Sequence, residues 1–380
     1  MIRANKDYIV SVRRKLHKVP ELGFELEKTL EIVREELNGL GISYTESLGK
    51  SSIVATINPN SDGKVIAIRA DMDALPIEEK TGLPYASEHP GKMHACGHDC
   101  HTAMLLGTAK MLKEIQNQLT CKVKLIFQAA EEKGGGANLL CKDGVMEDVD
   151  CIIGCHVAAS SDTGKVLVSR SVANASSRSI ALTLHGKASH VSAPHSGIDA
   201  LAMACRVYND IQIMRAREFN PMKPIIIGFG EIHGGTARNI VCDKVFFNGT
   251  VRALDAESDA FAARRIEEIA ASVSKDMGGS YSLDCEQFYP VLKNDSEIAE
   301  KIIDIVKRKL GNDAFIEKPV NMGAEDFAWY LQEKPGAMFS LGVHKPGTPV
   351  VPLHNEKFTA DEDALTIAPE IFVQFVLENM

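Results

Sequence analysis

Within the first half of the chain three apolar runs each break off at a cluster of acidic or imidazole side chains. No other feature constrains the fold as tightly. Val65 to Arg69 runs into Asp71 and Asp73, Lys122 to Gln128 into Glu131 and Glu132, and Cys151 to Gly154 into His156. The runs are bounded by turn residues and read as strands. Between the first two, Ala103, Leu106, Ala109, Met111, Leu112 and Ile115 mark a helix from Thr102 to Ile115, and a further helix separates the second run from the third. Strands alternating with helices imply βαβ units and a mostly parallel sheet. Ligands of such sheets gather beyond the carboxyl ends of the strands. The three polar clusters, distant in sequence, are therefore expected to converge in space.

The rest of the chain extends this pattern and interrupts it once. Residues 6 to 19 and 25 to 38 read as amphipathic helices, the second closing at Gly39 and Gly41, and Ser52 to Ile57 as a strand. Around Ser171 the texture changes. Strands at Ser179 to Leu184, Ile225 to Ile232, Val245 to Leu254 and Tyr281 to Glu286, with helices at Asp199 to Met214 and Ala260 to Lys275, make an α+β sandwich of the split βαβ type. After Asn294 a helix (Ser296 to Leu310), a strand (Ala337 to Leu341) and a last helix (Asp361 to Glu378) resume the first texture. The expected fold class is α/β. A discontinuous domain with a mostly parallel sheet, residues 1–172 and 289–380, carries an inserted α+β sandwich at 173–288.

Length and charge narrow the function. At 380 residues the chain exceeds one ordinary compact core and can enclose a site. A net charge of -9 with no basic run argues against nucleic acid as a partner. No apolar stretch approaches the roughly 18 residues that span a bilayer, and Met1 to Asp7 lack the apolar core of a signal peptide. Nine cysteines, odd in number and scattered, fit reduced thiols. A soluble cytoplasmic protein without disulfides or membrane contact is expected.

The chemistry is concentrated in Met93-His-Ala-Cys-Gly-His-Asp-Cys-His101, where His94, Cys96, His98 and His101 bring thiolate and imidazole close together. Such donors suit a borderline divalent ion such as zinc. Alone the segment is ambiguous, since a free cysteine is commonly a small buried apolar residue, and a closed structural site of four ligands is a further reading. Adjacent Glu131 and Glu132 suit metal-assisted hydrolysis, one carboxylate binding the ion while the other moves protons. A solvated acidic loop is the bland alternative, against which Gly134-Gly-Gly136 lets backbone crowd a ligand. Singly, His156 and His354 read as hydrogen-bonded structural histidines; with Cys96, His98 and a glutamate they would complete two neighbouring metal positions.

Seven blocks occur in an order that resembles, over nearly the whole chain, the aminoacylase, hippurate hydrolase and auxin-conjugate hydrolase family of co-catalytic metallopeptidases. They are Leu16-His-Lys-Val-Pro-Glu-Leu-Gly-Phe24, Arg69-Ala-Asp-Met-Asp-Ala-Leu-Pro76, His94 to His101, Phe127-Gln-Ala-Ala-Glu-Glu132, Gly154-Cys-His-Val157, Gly323-Ala-Glu-Asp-Phe327 and Pro352-Leu-His354. The resemblance implies that Cys96, His98, Glu132, His156 and His354 bind two divalent ions, zinc or manganese with nickel or cobalt as further options, with Cys96 bridging them. It makes Glu131 the general base, His190 an oxyanion donor supplied by the inserted domain, and Asn239 a residue that holds the substrate carboxylate or the intermediate. Asp73, with Asp71 and Asp99, would orient the ligating histidines, and His94 and His101 become supporting residues. The inserted domain would act as lid and dimerisation domain, so a homodimer or higher homo-oligomer is expected. The chain departs from the family pattern at Ala129 and Cys242, where proline is usual, at Ser189, where glycine is usual, and in Val157 to Asp162, which lacks a bulky residue. All fall toward the substrate side. The implied activity is hydrolysis of the amide of an N-acyl amino acid or similar small acyl or aryl conjugate. A dipeptidase, an N-acetyl-diaminopimelate-type deacetylase and a non-catalytic binding protein are the alternatives.

Overall fold

The computed structural model describes residues 4–133 and 135–380. Gly134, first of the three glycines behind Glu132, lies outside the described residues. In chain order the helices are α1 (Lys6–His17), α2 (Glu27–Gly39), α3 (His98–Glu114), α4 (Gly136–Lys142), α5 (Ala200–Arg217), α6 (Ala256–Asp276), α7 (Ser296–Leu310), α8 (Ala328–Glu333) and α9 (Ile367–Asn379). The strands are β1 (Ser43–Thr45), β2 (Ile53–Ile57), β3 (Val65–Asp71), β4 (Lys122–Gln128), β5 (Cys151–Asp162), β6 (Val166–Val168), β7 (Val172–Asn174), β8 (Ser177–His185), β9 (Ile225–Gly234), β10 (Lys244–Ala253), β11 (Ser280–Asp284), β12 (Gln287–Tyr289), β13 (Leu292–Lys293), β14 (Phe315–Glu317) and β15 (Gly336–His344).

The chain forms two compact units: Met1–Ala173, Lys293–Val320 and Asp326–Met380 in the first, Asn174–Leu292 and Asn321–Glu325 in the second. The first holds an eight-stranded sheet in the order β1-β2-β4-β3-β5-β15-β6-β14. Its centre, β4, β3, β5 and β15, is parallel; β2 and β6 run antiparallel to their neighbours β4 and β15. This is the mostly parallel α/β sheet that the strand and helix alternation requires. Register brings the polar clusters to one end, since Asp71 pairs with Gln128 and Arg69 with Gly154. β3 is buried along its whole length, as a central parallel strand must be. α3 packs on it, flanked by α1 and α9, and buries all of its seventeen residues but Lys110, Lys113 and Glu114.

Two local expectations are corrected. β5 continues to Asp162, so His156 lies within a strand rather than at its end; pairing with β15 to Ala158 and, past an irregularity, at Asp162 carries it on. His98 to His101 form the first turn of α3, which therefore starts before Thr102. The polar residues there hide the helical periodicity because they are buried against polar partners from other segments, Asp99 on Arg13 and His17 and His101 on Asp71, rather than by being apolar.

The second unit is an antiparallel sheet in the order β11-β8-β10-β9, with the short β12 also pairing β8. α5 and α6 cover it, around a core of Ile180, Leu182, Leu184, Val245, Phe247 and Ile266. β9 is an edge strand and mostly exposed.

Candidate metal centre

The site of the first unit is assembled from four chain segments. Gly97, at φ +84°, turns the chain into α3, and a Cβ there would lie 2.5 Å from the Val157 side chain. The tight turn sets Cys96 just before the helix and His98 at its first position, both buried. His156 comes from β5. Its Nδ1 lies 2.8 Å from the Val157 carbonyl, which accepts its proton and leaves the Nε2 lone pair 3.4 Å from Cys96 Sγ. The turn after β4 carries Glu131 and Glu132; Asp73 accepts both of their backbone N–H groups, at 3.0 and 3.1 Å. Asp73 Oδ1 also lies 3.4 Å from His98 Nδ1. His354 arrives last in the chain, its N–H donating to the Ala95 carbonyl at 2.9 Å and its Nε2 3.5 Å from Glu132 Oε1.

Ala130 and His354 both have left-handed backbones, at φ +56° and +62°, without being glycine. Such conformations persist only where surroundings impose them, and they cluster at functional sites. Ala130 is held by the Gly136 N–H donating to its carbonyl at 3.2 Å, and a Cβ on Gly136 would strike the Ala129 carbonyl at 1.8 Å. The turn can aim Glu131 and Glu132 as it does only with glycine at 136.

The ligand atoms converge. Cys96, His98 and His156 offer donor atoms all within 4.8 Å of one another; so do Cys96, Glu132 and His354, and His98, Glu131 and Glu132. Cys96 belongs to two of these groups, and sulfur, imidazole and carboxylate together fit borderline divalent ions. Asp71, His98 and His101 form another such group. There, however, His101 is already engaged: the Val157 N–H donates to its Nε2 at 2.9 Å, so Nδ1 carries the proton and donates to Asp71 Oδ1 at 2.5 Å. His94 is buried, and among the described residues neither ring nitrogen has a hydrogen-bond partner.

Burial pushes the Cys96 thiol well above its usual range, against the pull of His98. Burial also opposes charge on His98, yet Asp71, Cys96 and Asp73 together hold its pKa well above that of an ordinary histidine. Burial, with His101 beside it, keeps His156 neutral. Burial raises Asp71 as well, but Arg69, His98 and His101 outweigh it and hold the carboxyl well below its usual range. The pocket thus collects titratable groups shifted by burial and by one another, as functional sites do.

His190 and Asn239 belong to the second unit, where the structure joins them to one another. His190 bridges Ile240 antiparallel, and the Val191 N–H donates to the Asn239 carbonyl at 3.0 Å. Both side chains are exposed. The Ser192 N–H donates to His190 Nδ1 at 3.2 Å, so the ring proton sits on Nε2, free to donate.

Sequence reasoning missed the network beneath β3 and β4. The Arg69 guanidinium meets Asp71 at 2.7 Å, Asp326 at 2.6 Å and the Gln128 side chain at 2.8 Å. The Gln128 amide donates to Asp326 at 2.7 Å, and the Tyr330 hydroxyl to Gln128 at 2.9 Å. Arg69, Gln128 and Asp326 all fall inside the matching blocks, which was the available signal. Asp99, expected to orient ligating histidines, instead faces α1, bonded to Arg13 and His17 at 2.7 Å each.

Residues 67–378 match the model of peptidase family M20/M25/M40. Thermostable carboxypeptidase 1 of Saccharolobus solfataricus is 37% identical over 376 residues, covering 96% of this chain and 94% of that protein. N-acetyl-L-cysteine deacetylase of Bacillus subtilis is 36% identical over 362 residues, 94% of this chain and 84% of its own length. Among solved structures, a Bacillus subtilis protein described as a dinuclear metal binding peptidase of the M20 family superposes with a TM-score of 0.85 at 31% identity, covering 99% of both chains. No helix among the described residues is long and apolar enough to cross a membrane.

Proposed function

From the premise that the chain belongs to peptidase family M20/M25/M40, and so is a hydrolase acting on amide bonds, we propose that it cleaves N-acyl amino acids with two divalent ions and a glutamate base. Cys96, His98, Glu132, His156 and His354 would hold the ions. The observation that carries this reading is the membership of Cys96 in two three-donor groups, one with His98 and His156 and one with Glu132 and His354, so that two neighbouring ions would each find three protein donors. The Bacillus subtilis dinuclear metal binding peptidase supports the same count of ions; thiolate and imidazole favour zinc, and the carboxylates would also accept manganese.

When bound, the ions lower the pKa of a water and polarise the scissile carbonyl. Glu131, buried and with its backbone pinned by Asp73, takes the water proton and delivers it to the departing amine. Asp73 aims both glutamates through their N–H groups and faces His98 from behind. The tetrahedral intermediate needs a donor; His190, whose proton sits on Nε2, is assigned that role, and Asn239 beside it the substrate carboxylate.

The names of the relatives divide over the leaving group, deacetylase against carboxypeptidase. We favour the N-acyl substrate. Assaying an N-acetyl amino acid, hippurate and a dipeptide side by side with added manganese or zinc tests the choice; a preference for the dipeptide with its free amino group would overturn it. Metal analysis of protein purified without chelators should find two divalent ions per chain. A homodimer is supported by β9, a proline-free edge strand with Ile226 and Ile232 42% and 56% exposed, whose pairing with a second copy would extend the sheet. Nine free cysteines support a reducing, cytoplasmic setting.

A further inference from the structure

The block Leu16 to Phe24 contains no residue of the metal centre, yet it is bonded to the segments that carry it. The Ala74 N–H, next to Asp73, donates to the Glu21 carbonyl at 2.8 Å, and Leu22 bridges Ala74. The Glu88 N–H donates to the Lys18 carbonyl at 2.7 Å, and His89 Nδ1 to the Pro20 carbonyl at 2.9 Å. The Glu21 carboxylate accepts the Thr29 N–H at 2.9 Å at the start of α2, fixing the block itself.

His17 makes the deepest of these contacts. Its ring is 1% exposed and lies between two carboxylates, Nδ1 2.7 Å from Asp99 Oδ2 and Nε2 3.3 Å from Glu79 Oε1. Asp99 follows His98 directly in the first turn of α3, and its side-chain bonds go to α1, to His17 and to Arg13 Nε at 2.7 Å. Arg13 in turn reaches Glu362 at 3.3 Å. Glu79 accepts the Ser87 N–H at 2.7 Å, tying in the segment that leads to Met93, which pairs with Leu75. Two routes therefore converge on the turn holding Cys96 and His98, one through Asp99 and one through the 79–93 segment, and His17 joins them. Groups that fix ligand orientation act on metal affinity because displacements of a fraction of an ångström matter.

We propose that His17 is a positioning residue for the metal centre: bridging Asp99 and Glu79, it holds the Cys96–His98 turn in the geometry that binds the ions. The proposal rests on the metal-site reading above. The experiment strips the full-length protein of metal and titrates it with cobalt(II) alone, following the thiolate-to-cobalt absorption of Cys96, with circular dichroism and melting temperature recorded on the metal-free samples. Wild type, His17→Ala, His17→Gln and Phe372→Leu are compared, the last a core control on α9 chosen to lower the melting temperature by a similar amount. The expected result is apparent cobalt affinity weakened about 10- to 100-fold in both His17 variants, unchanged in Phe372→Leu, and kcat restored by saturating cobalt. Wild-type affinity in the His17 variants, or equal weakening in the control, would overturn the proposal. If His17→Ala does not fold, His17→Gln and Glu79→Gln, which keep the side-chain volume, decide on the same criterion. Wild type that binds no cobalt would instead overturn the metal-site reading.

Discussion

The two units bury different things. The first encloses Arg13, His17, Arg69, Asp71, Asp73, His94, His98, Asp99, His101 and Glu131, all under a tenth exposed, among its apolar residues. Between residues 174 and 292 the buried polar side chains are Ser176, Ser258, Asp259 and Ser274, and the core is otherwise aliphatic and aromatic. Buried charges cost several kcal/mol each unless paired. The first unit meets that cost by pairing almost every charge with another inside the same fold, which fixes their geometry. The second keeps its candidate functional groups, His190 and Asn239, on an exposed bridge, where burial does not constrain them. The polar groups of the first unit are thus fixed by burial and pairing, and those of the second are left open to solvent.

The sharpest way to break this contrast is Glu131→Gln. It should lower kcat by about a hundred- to ten-thousand-fold while metal content and the melting of both units stay as in wild type. An active Glu131→Gln enzyme would remove the proton carrier from the centre of the first unit. A matched pair then compares the two interiors. Arg69→Met leaves Asp71 and Asp326 buried without their guanidinium and should cost about 3–5 kcal/mol, measured by urea unfolding. Phe247→Ala, which deletes a 2% exposed ring from the core of the second unit, should cost about 3–5 kcal/mol. Equal losses by different physics are distinguishable: only Arg69→Met should also reduce bound metal, because Asp71 bonds His101 and lies 3.7 Å from His98. Smaller still is the effect expected at the edge strand. Ile232→Lys places a charge on β9 and should weaken self-association about tenfold, roughly 1.4 kcal/mol, read by analytical ultracentrifugation; a monomeric wild type would refute the assignment of β9.

What could be read from the amino acids divides along the same line. β4 and α7 occur at Lys122–Gln128 and Ser296–Leu310 as their patterns require, because apolar periodicity decides elements that bury apolar faces. The start of α3 and the length of β5 were not legible, since His98, Asp99 and His101 are buried by polar partners and Val157 to Asp162 is mostly small residues without the β-branched run that marks a strand. β6 and β14, three residues each at one edge of the sheet, are too short to carry a period. Within the candidate site, the donors Cys96, His98, Glu132, His156 and His354 were named from ordered motifs, and the structure brings their atoms together. Their supports were not: an ion pair such as Arg13 with Asp99 joins residues 86 apart, and no local pattern encodes it.

The subtlest prediction concerns His17 and pH. Burial disfavours its charged form, but Asp99 and Glu79 outweigh burial, so its folded pKa lies above the ordinary 6.5. A group whose folded pKa is raised binds its proton more tightly in the fold, so its stabilisation is complete below pH 6.5 and is lost as the pH rises through the folded value. The groups facing it do not blur this window. Asp99 and Glu79 are both held below their usual range, the first chiefly against burial by Arg13 and the second against burial by His17, so their contributions change only in acid. His94, depressed by burial to about 4, contributes a rise that is finished by pH 6.5. Tyr85, raised chiefly by burial, titrates only in strong alkali, and Arg13 stays charged throughout. The melting temperature of the first unit should therefore fall more between about pH 6.5 and 9 in wild type than in His17→Gln, the variant being flatter because its amide does not titrate. Parallel slopes would mean that His17 is neutral in the fold and donates to one carboxylate only, leaving the second route to the Cys96–His98 turn without its charge.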